Sequence, residues 1–381
     1  MNKIAMLLTN AFMPDPRPFM EALSLSKAGY PVKILCWDRG EGLPGRELIN
    51  GIEIERIRLK STHGAGNGQA FFLAILWLKM LWRLRKEKCD IVYCHDFDTL
   101  PVGILMKFFA HKKTVFDSHE VYSKMLGAKV FAPLKAFVGW MEKRLIGLSD
   151  AVIVTCENMG QLYSSYGVRA PEIVGNWKNV ENFTFPPSVL EEEKARLGIK
   201  NELVISYIGN LGPERIIEPL LEAALEDSSI FLIIGGDGPK AAIVRNAAGR
   251  RANIIYLGHV RYEKLPLLTA LSDAVYYGYE RSHSMSEFNA PNKLFEALAA
   301  GRAFVGGDFG QMGKVLKEEL CGIALDRFTV ESVKNAIAVL KDKGRLEGFK
   351  SKAMEAALKK YNWHIAEKRL LKKMSELTGG A

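Results

Sequence analysis

Short apolar runs separated by stretches of helical spacing recur along the whole chain, and few folds accommodate that alternation. A run of five or six apolar residues without polar alternation is a strand buried on both faces. Strands of that kind belong to parallel sheets covered by crossover helices. The first set is "KIAMLL" (3–8), "PVKILCW" (31–37), "IEIERI" (52–57), "DIVYC" (90–94), "KTVFD" (113–117) and "AVIVT" (151–155). "VGNWKNVENFTFPPS" (174–188) follows neither period and reads as a connector. A second set follows: "LVISYIG" (203–209), "IFLIIGG" (230–236), "NIIYLG" (253–258), "AVYYG" (274–278), "AFVGG" (303–307) and "GIAL" (322–325). The 381 residues suit two domains. The expected class is therefore α/β, with two Rossmann-like doubly wound domains facing a cleft and ligands at the carboxyl ends of the strands. Residues 346–377 read as two charged amphipathic helices.

Net charge is +9, from 52 Lys and Arg against 43 Asp and Glu. That modest excess suits phosphorylated small molecules or an anionic membrane surface. Interleaved acids and the lack of a nucleic-acid module speak against DNA or RNA. Cys36, Cys89, Cys94, Cys156 and Cys321 form no C-x-x-C pair and sit in or near apolar runs. They read as reduced, buried thiols of a cytoplasmic protein, and "MNKIAMLLTN" reads as a first strand rather than a secretory signal.

The second half concentrates the chemistry. "YIGNLGPERIIEP" sets Gly209, Asn210 and Gly212 between a strand and a helix, with Arg215 in the first turn. Glycines there admit a ligand to the backbone, and a helix start offers N–H groups to an anion. The alternative is a tight turn with a solvated arginine. "IIGGDGPK" repeats the pattern with Gly235, Gly236, Asp237 and Gly238, or is a loop built for conformation alone. "NAPNKLFEALAAG" is the third such turn: Asn289, Ala290, Pro291, Asn292 and Lys293 lead into a helix carrying one carboxylate, Glu296. A carboxylate facing a ligand can accept both hydroxyls of a ribose. Otherwise Glu296 is the wet face of an amphipathic helix.

With "YIGNLGPER", "IIGGDGPK", "NIIYLGHV" and "PNKLFEALAAG" in the second half, and "MPDPRPFMEALSLSKAGYPVKILCWDR", "DIVYCHDFDTLP" and "TVFDSHEVY" in the first, the chain resembles retaining glycosyltransferases of family 4. The resemblance implies the GT-B fold. Residues 1–175 would form an acceptor-side domain, joined by a crossover helix at 362–381, and 176–361 a domain for a nucleotide-sugar donor, UDP or GDP type. No other cofactor and no metal are implied. Glu296 would hold the ribose and Arg215 the diphosphate, with His119 of "DSHE" near the transferred sugar. The catalytic set implied is thus His119, Arg215 and Glu296. Two departures stand out. The family commonly has two glutamates separated by seven residues; here the first falls on Phe288, with Glu287 one position away as a substitute. The family often has arginine where this chain has Asn210, which leaves Arg215 as one phosphate cation rather than two. His95, Asp96 and Asp98 of "HDFDT" line the acceptor side or cap the following helix.

From Phe71 to Arg144 there are 13 Lys and Arg against 7 Asp and Glu, +6 of the net +9. Within this span, "FFLAILWLKMLWRLRKEK" (71–88) and "KMLGAKVFAPLKAFVGWMEKR" (124–144) mix apolar bulk with cations. Residues 71–82 would reach about 18 Å, against a bilayer core of ~30 Å, and cannot span it. They either pack on the first sheet or lie in a membrane interface, with Trp77 and Trp82 at headgroup depth. The expected function is a glycosyltransferase building a cell-envelope glycan or glycolipid at the cytoplasmic face, peripheral to the membrane. The acceptor would be a glycan or lipid-linked. A nucleotide-sugar epimerase or hydrolase on the same fold, or a non-catalytic nucleotide-sugar-binding protein, are the alternatives.

Overall fold

The computed structural model describes residues 2–13, 15–40, 42–61, 69–126, 130–200 and 202–379. Part of the second basic stretch, 127–129, lies outside the described residues. Two compact units result, Met1–Gly175 with Ala366–Ala381, and Asn176–Ile365.

The strands of the first unit are Ile4–Leu8 (β1), Val32–Asp38 (β2), Arg46–Ile49 (β3), Ile52–Arg58 (β4), Ile91–His95 (β5), Lys113–Ser118 (β6), Ala151–Val154 (β7) and Glu172–Ile173 (β8). They align in the order β3-β4-β2-β1-β5-β6-β7-β8. Every residue of β1, β2 and β5 is buried, as strands covered on both faces require. Leu7 of β1 faces Leu35 on one side and Cys94 on the other, both in parallel register. The chain's direction across the sheet reverses between β1 and β5, so their carboxyl ends open a crevice. The helices are Pro16–Lys27 (α1), Gln69–Lys86 (α2), Leu100–Ala110 (α3), Tyr122–Met125 (α4), Ala132–Ile146 (α5) and Glu157–Ser165 (α6).

Two strands escape the sequence reading. Strand β3 pairs antiparallel with β4 through a turn at Asn50–Gly51, whose φ values of 49° and 81° are those an Asn-Gly hairpin turn demands. The signal was present as "ING", but β3 is an edge strand with alternating exposure and lacks the buried-run signature. Strand β8 is two residues long, below what any periodicity reveals.

In the second unit, Leu203–Ile208 (β9), Ile230–Gly235 (β10), Ile254–Tyr256 (β11), Ala274–Tyr277 (β12), Ala303–Gly307 (β13) and Gly322–Leu325 (β14) form a wholly parallel sheet, ordered β11-β10-β9-β12-β13-β14. The reversal lies between β9 and β12. Its helices are Pro187–Leu197 (α7), Glu218–Glu226 (α8), Ala241–Arg250 (α9), Leu265–Leu271 (α10), Asn292–Ala299 (α11), Gly310–Glu319 (α12), Val330–Lys341 (α13) and Lys343–Lys359 (α14). The last helix, Trp363–Thr378 (α15), sends Arg369 to the carbonyl of Ile173 (3.2 Å) and Lys373 to that of Ala170 (3.1 Å), at the β8 edge of the first unit. Among the described residues no helix is long and apolar enough to cross a membrane. All five cysteines are buried, and none forms a disulfide.

Candidate functional site

At the reversal point of the second sheet, the chain leaving β9 and the end of β12 run side by side: the Ile216 N–H donates to the Gly278 carbonyl (3.0 Å), and Arg215 bridges to Tyr279. Strand alternation puts Tyr277 and Tyr279 on one face, rings stacked 5.8 Å apart. The Arg215 guanidinium lies over both, 5.0 and 4.7 Å from their centroids, and donates to the Tyr277 hydroxyl. Glu214 stands 3.2 Å away. Arg215 is thus a held cation rather than a solvated one.

The two glycine turns prove to be one structure. Gly209 donates to the Gly235 carbonyl (2.9 Å), Leu211 to that of Asp237 (2.8 Å). A side chain on Gly236 (φ 125°) would run into the Gly209 carbonyl, and one on Gly238 (φ 145°) into that of Leu211. These glycines are thus required for contact between the turns. Asn210 is exposed, its carbonyl accepting from the Tyr207 hydroxyl (2.5 Å); Asp237 is exposed, 3.4 Å from His259.

Helix α11 follows the third turn. Pro291 is its N-cap residue, with ψ 134°, one position earlier than a first-turn proline. Asn289 donates to the Tyr277 hydroxyl (3.0 Å), and Asn176 donates to the Ala290 carbonyl (3.0 Å). Glu296 is 6 % exposed, which overturns the wet-face alternative. Its carboxylate makes no hydrogen bond among the described residues; the nearest cation is Lys178, 3.9 Å away, itself donating to the Asn292 side chain (2.7 Å). Paired only loosely with Lys178, the carboxylate is free to accept hydrogen bonds from a ligand. Lys178 was quoted within the connector but its role was missed, because no spacing ties it to α11.

Lys293 changes the cation count. Its ammonium packs against Gly209, 5.0 Å from the Tyr207 centroid and 5.4 Å from that of Tyr277, the ring Arg215 also covers. It forms no ion pair among the described residues. Burial lowers its pKa to about 8; Glu296 opposes the fall and Arg215 adds to it. A second cation, from α11, therefore stands by the same ring as Arg215. Glu287 lies exposed on the short turn Ser286–Phe288, with Phe288 half-buried.

In the first unit, the ends of β5 and β6 assemble a second cluster. Buried Asp117 accepts from Arg17 (2.6 and 3.2 Å) and stands 3.1 Å from the His95 ring and 3.0 Å from that of His119. Burial alone would raise its pKa, but Arg17, then His119 and His95, hold it well below the usual carboxylate range. Burial likewise works against charge on His119, but Asp96 and Asp117 raise its pKa to about 10, so it is an imidazolium at neutral pH. Burial keeps His95 below its ordinary value. Ligand-type atoms of His95, Asp117 and His119 lie within 4.8 Å of one another, the spacing of a metal site. A divalent cation there would have to displace Arg17 from Asp117 and the proton from His119.

Asp96 and Asp98 do not cap α3. Thr99 holds the N-cap position, without a side-chain cap bond. Asp96 instead accepts from the His119 N–H (2.9 Å), and Asp98 from Thr9 (2.6 Å). Burial, with Asp96 adding, pushes Asp98 up to about 7. Trp77 donates inward to the Asp98 carbonyl (2.6 Å), so it is not a headgroup anchor.

A proton-detected or nitrogen-shift titration is expected to find one imidazole, absent in His119→Asn, still charged at pH 8. Because the folded pKa of His119 is raised, its stabilisation is complete below about 6.5 and lost as pH rises through about 10. Glu21, 3.1 Å from Arg17 and pushed up to about 8 mainly by burial, acts in the same direction. Urea midpoints should fall from pH 6 to 8, less steeply in His119→Asn; above pH 8 the His119 loss is opposed by Lys293, whose folded pKa is lowered to about 8.

Residues 20–177 match the family described as glycosyl transferase 4-like domain, and residues 189–360 the family described as glycosyl transferases group 1. An uncharacterized glycosyltransferase of Methanocaldococcus jannaschii is 26% identical over 357 residues, 90% of this chain and 88% of the relative. Among solved structures, Anabaena HepE in complex with UDP is similar over 98% of this chain and 100% of its own, with TM-score 0.75 and 16% identity. Sucrose-phosphate synthase from Thermosynechococcus elongatus is similar over 100% of both, with TM-score 0.79 and 15% identity.

Proposed function

Because the chain belongs to the group 1 glycosyltransferases of the family-4 type and has their GT-B fold, we propose that it is a retaining hexosyltransferase using a UDP- or GDP-sugar and a glycan or lipid-linked acceptor. The observation that carries the donor reading is Glu296: buried, on the first turns of a helix, and without a hydrogen-bond donor. Ribose hydroxyls satisfy it. Arg215 and Lys293, sharing the Tyr277 ring, take the diphosphate, with the N–H groups at the start of α11 adding positive potential. No separate cofactor is needed, the nucleotide-sugar being the substrate.

In the transfer, the bond from the anomeric carbon to the diphosphate breaks while the acceptor oxygen bonds that carbon on the same face. The acceptor proton passes to the departing phosphate oxygen. Charge grows on the diphosphate, and the two cations stabilise it where it grows. His119, charged and fixed by Asp117 at the end of β6, presents a hydrogen-bond donor within the first unit. HepE was solved with UDP, which makes UDP the first donor base to test.

The experiment is calorimetry with UDP, GDP and their sugar conjugates. Glu296→Ala is expected to weaken the preferred nucleotide by about 1.5–3 kcal/mol, roughly 10- to 150-fold. The wild type should also lose affinity for the 2′-deoxy nucleotide, and Glu296→Ala should not distinguish the two. Equal binding of ribose and deoxyribose forms by the wild type would remove the donor assignment.

A further inference from the structure

We propose that the first unit docks on an anionic lipid surface through the layer formed by α2, α3 and α5. These helices are neighbours, α2 beside α3 and α3 beside α5. Helix α2 is seated by Leu73, Leu76, Met80 and Leu84, all buried, so its apolar run mostly serves packing. What remains outside is large: Phe71, Trp82, Phe109, Phe137 and Trp140 are each more than half exposed. Helix α5 is the extreme case. Of its 15 residues only Glu142 and Ile146 are buried. Phe131 at its N-cap, then Leu134, Phe137 and Trp140, follow at three-residue steps in solvent, and the last two rings stack at 5.9 Å. A patch of this kind on a folded protein marks an interaction surface.

Charge identifies the occupant. Arg85, Lys88, Lys113 and Arg144 are exposed around these helices and make no ion pair among the described residues. The neighbouring acids are engaged: Glu87 by Lys3 and Lys33, Asp150 by Lys107, Asp90 by the Lys3 N–H, and Glu142 by the N–H groups of Tyr122 and Ser123. A second copy would bring cations against cations. An anionic bilayer offers apolar depth to the rings and phosphates to the rim. Lys86 sits 3.5 Å from the Trp82 centroid, pairing a cation with the type of ring that favours the headgroup zone. At ~1.5 Å per residue α5 reaches about 22 Å, short of a ~30 Å core, so the layer lies on the membrane rather than through it. Such docking would bring the proposed enzyme to a lipid-linked acceptor, yet it stands on this surface and not on the donor reading.

The test is flotation of the full chain with phosphatidylcholine vesicles and with vesicles that also contain phosphatidylglycerol. Wild type should float with the anionic vesicles, less so as salt rises. Phe137→Ser with Trp140→Ser should weaken this at least tenfold, at an unchanged thermal midpoint and unchanged nucleotide affinity. Arg85→Gln with Arg144→Gln should remove part of the salt dependence. No flotation of the wild type, or flotation equal in the aromatic double variant, overturns the proposal. So does a wild-type dimer in light scattering that the double variant lacks, which would give the face to a second copy. Vesicle binding without any nucleotide binding would sink the donor reading and leave the docking intact.

Discussion

Replacing Arg215 with alanine is expected to cut kcat/KM for sugar transfer by about 10²–10³, the size found when a fixed donor to developing negative charge is removed. The effect should fall on kcat at least as much as on KM, because the diphosphate gains charge only as the glycosidic bond breaks. Arg215 is suited to this by its surroundings. Two stacked tyrosines and Glu214 fix the guanidinium before any ligand arrives, so little reorganisation accompanies transfer. Lys293 makes the prediction sharper. Its pKa of about 8 means that above pH 8 the free protein must take up a proton to present an ammonium to the diphosphate. Donor affinity should therefore hold below pH 8 and fall above it, by up to about tenfold per unit. Lys293→Met should bind more weakly but without that pH dependence, and Lys293→Arg should restore affinity and stay flat to pH 10. Calorimetry in buffers of different ionisation enthalpy reads the proton directly.

The second large effect concerns stability. Asp117→Asn should cost about 3–5 kcal/mol, because Arg17 and the two histidine rings converge on that carboxylate and would lose their buried counter-charge. Urea denaturation measures the loss. An independent sign is available in the native state: the His119 imidazole should titrate well below 10 in the variant. Glu21, 3.1 Å from Arg17, is expected to ionise more readily once Asp117 is neutral, taking over part of the pairing. A variant as stable as wild type, with His119 still titrating near 10, would show that Asp96 alone sets that charge.

Most buried strands were legible because burial on both faces writes itself as an unbroken apolar run; "IEIERI" is the exception, buried with Glu55 and Arg56 ion-paired, and every expected strand formed within a residue or two of its limits. Pairing with a charged edge leaves no such mark, which is why β3 was silent. Sequence reading singled out Arg215 and Glu296, but it put Arg215 in the first helical turn, whereas the residue lies in the bridge to Tyr279, ahead of α8. It could not reach Lys178, Tyr277 or the proximity of Lys293 to Arg215, since these meet only when β12 lies beside β9 and α11 is docked. The glycine turns carry a demand that sequence cannot assign: an approaching backbone and an approaching ligand ask the same of Cβ. The capping role weighed for Asp96 and Asp98 failed because stronger partners, the His119 N–H and Thr9, were available from other strands.

One unit of this protein is written in the gene as an uninterrupted passage, and the other is not. At synthesis rates of ~5–20 residues per second, the 190 residues from Asn176 to Ile365 emerge over roughly 10–40 s, during which the earlier 175 residues wait without their last helix. The carbonyls of Ile173, in the short strand, and of Ala170, just before it, receive Arg369 and Lys373 only after the second unit has been made. The nascent first half is thus a sheet whose β8 edge lacks its partner helix. A stop between Ile365 and Arg369 should therefore harm the amino-terminal half, while residues 176–365 mature undisturbed.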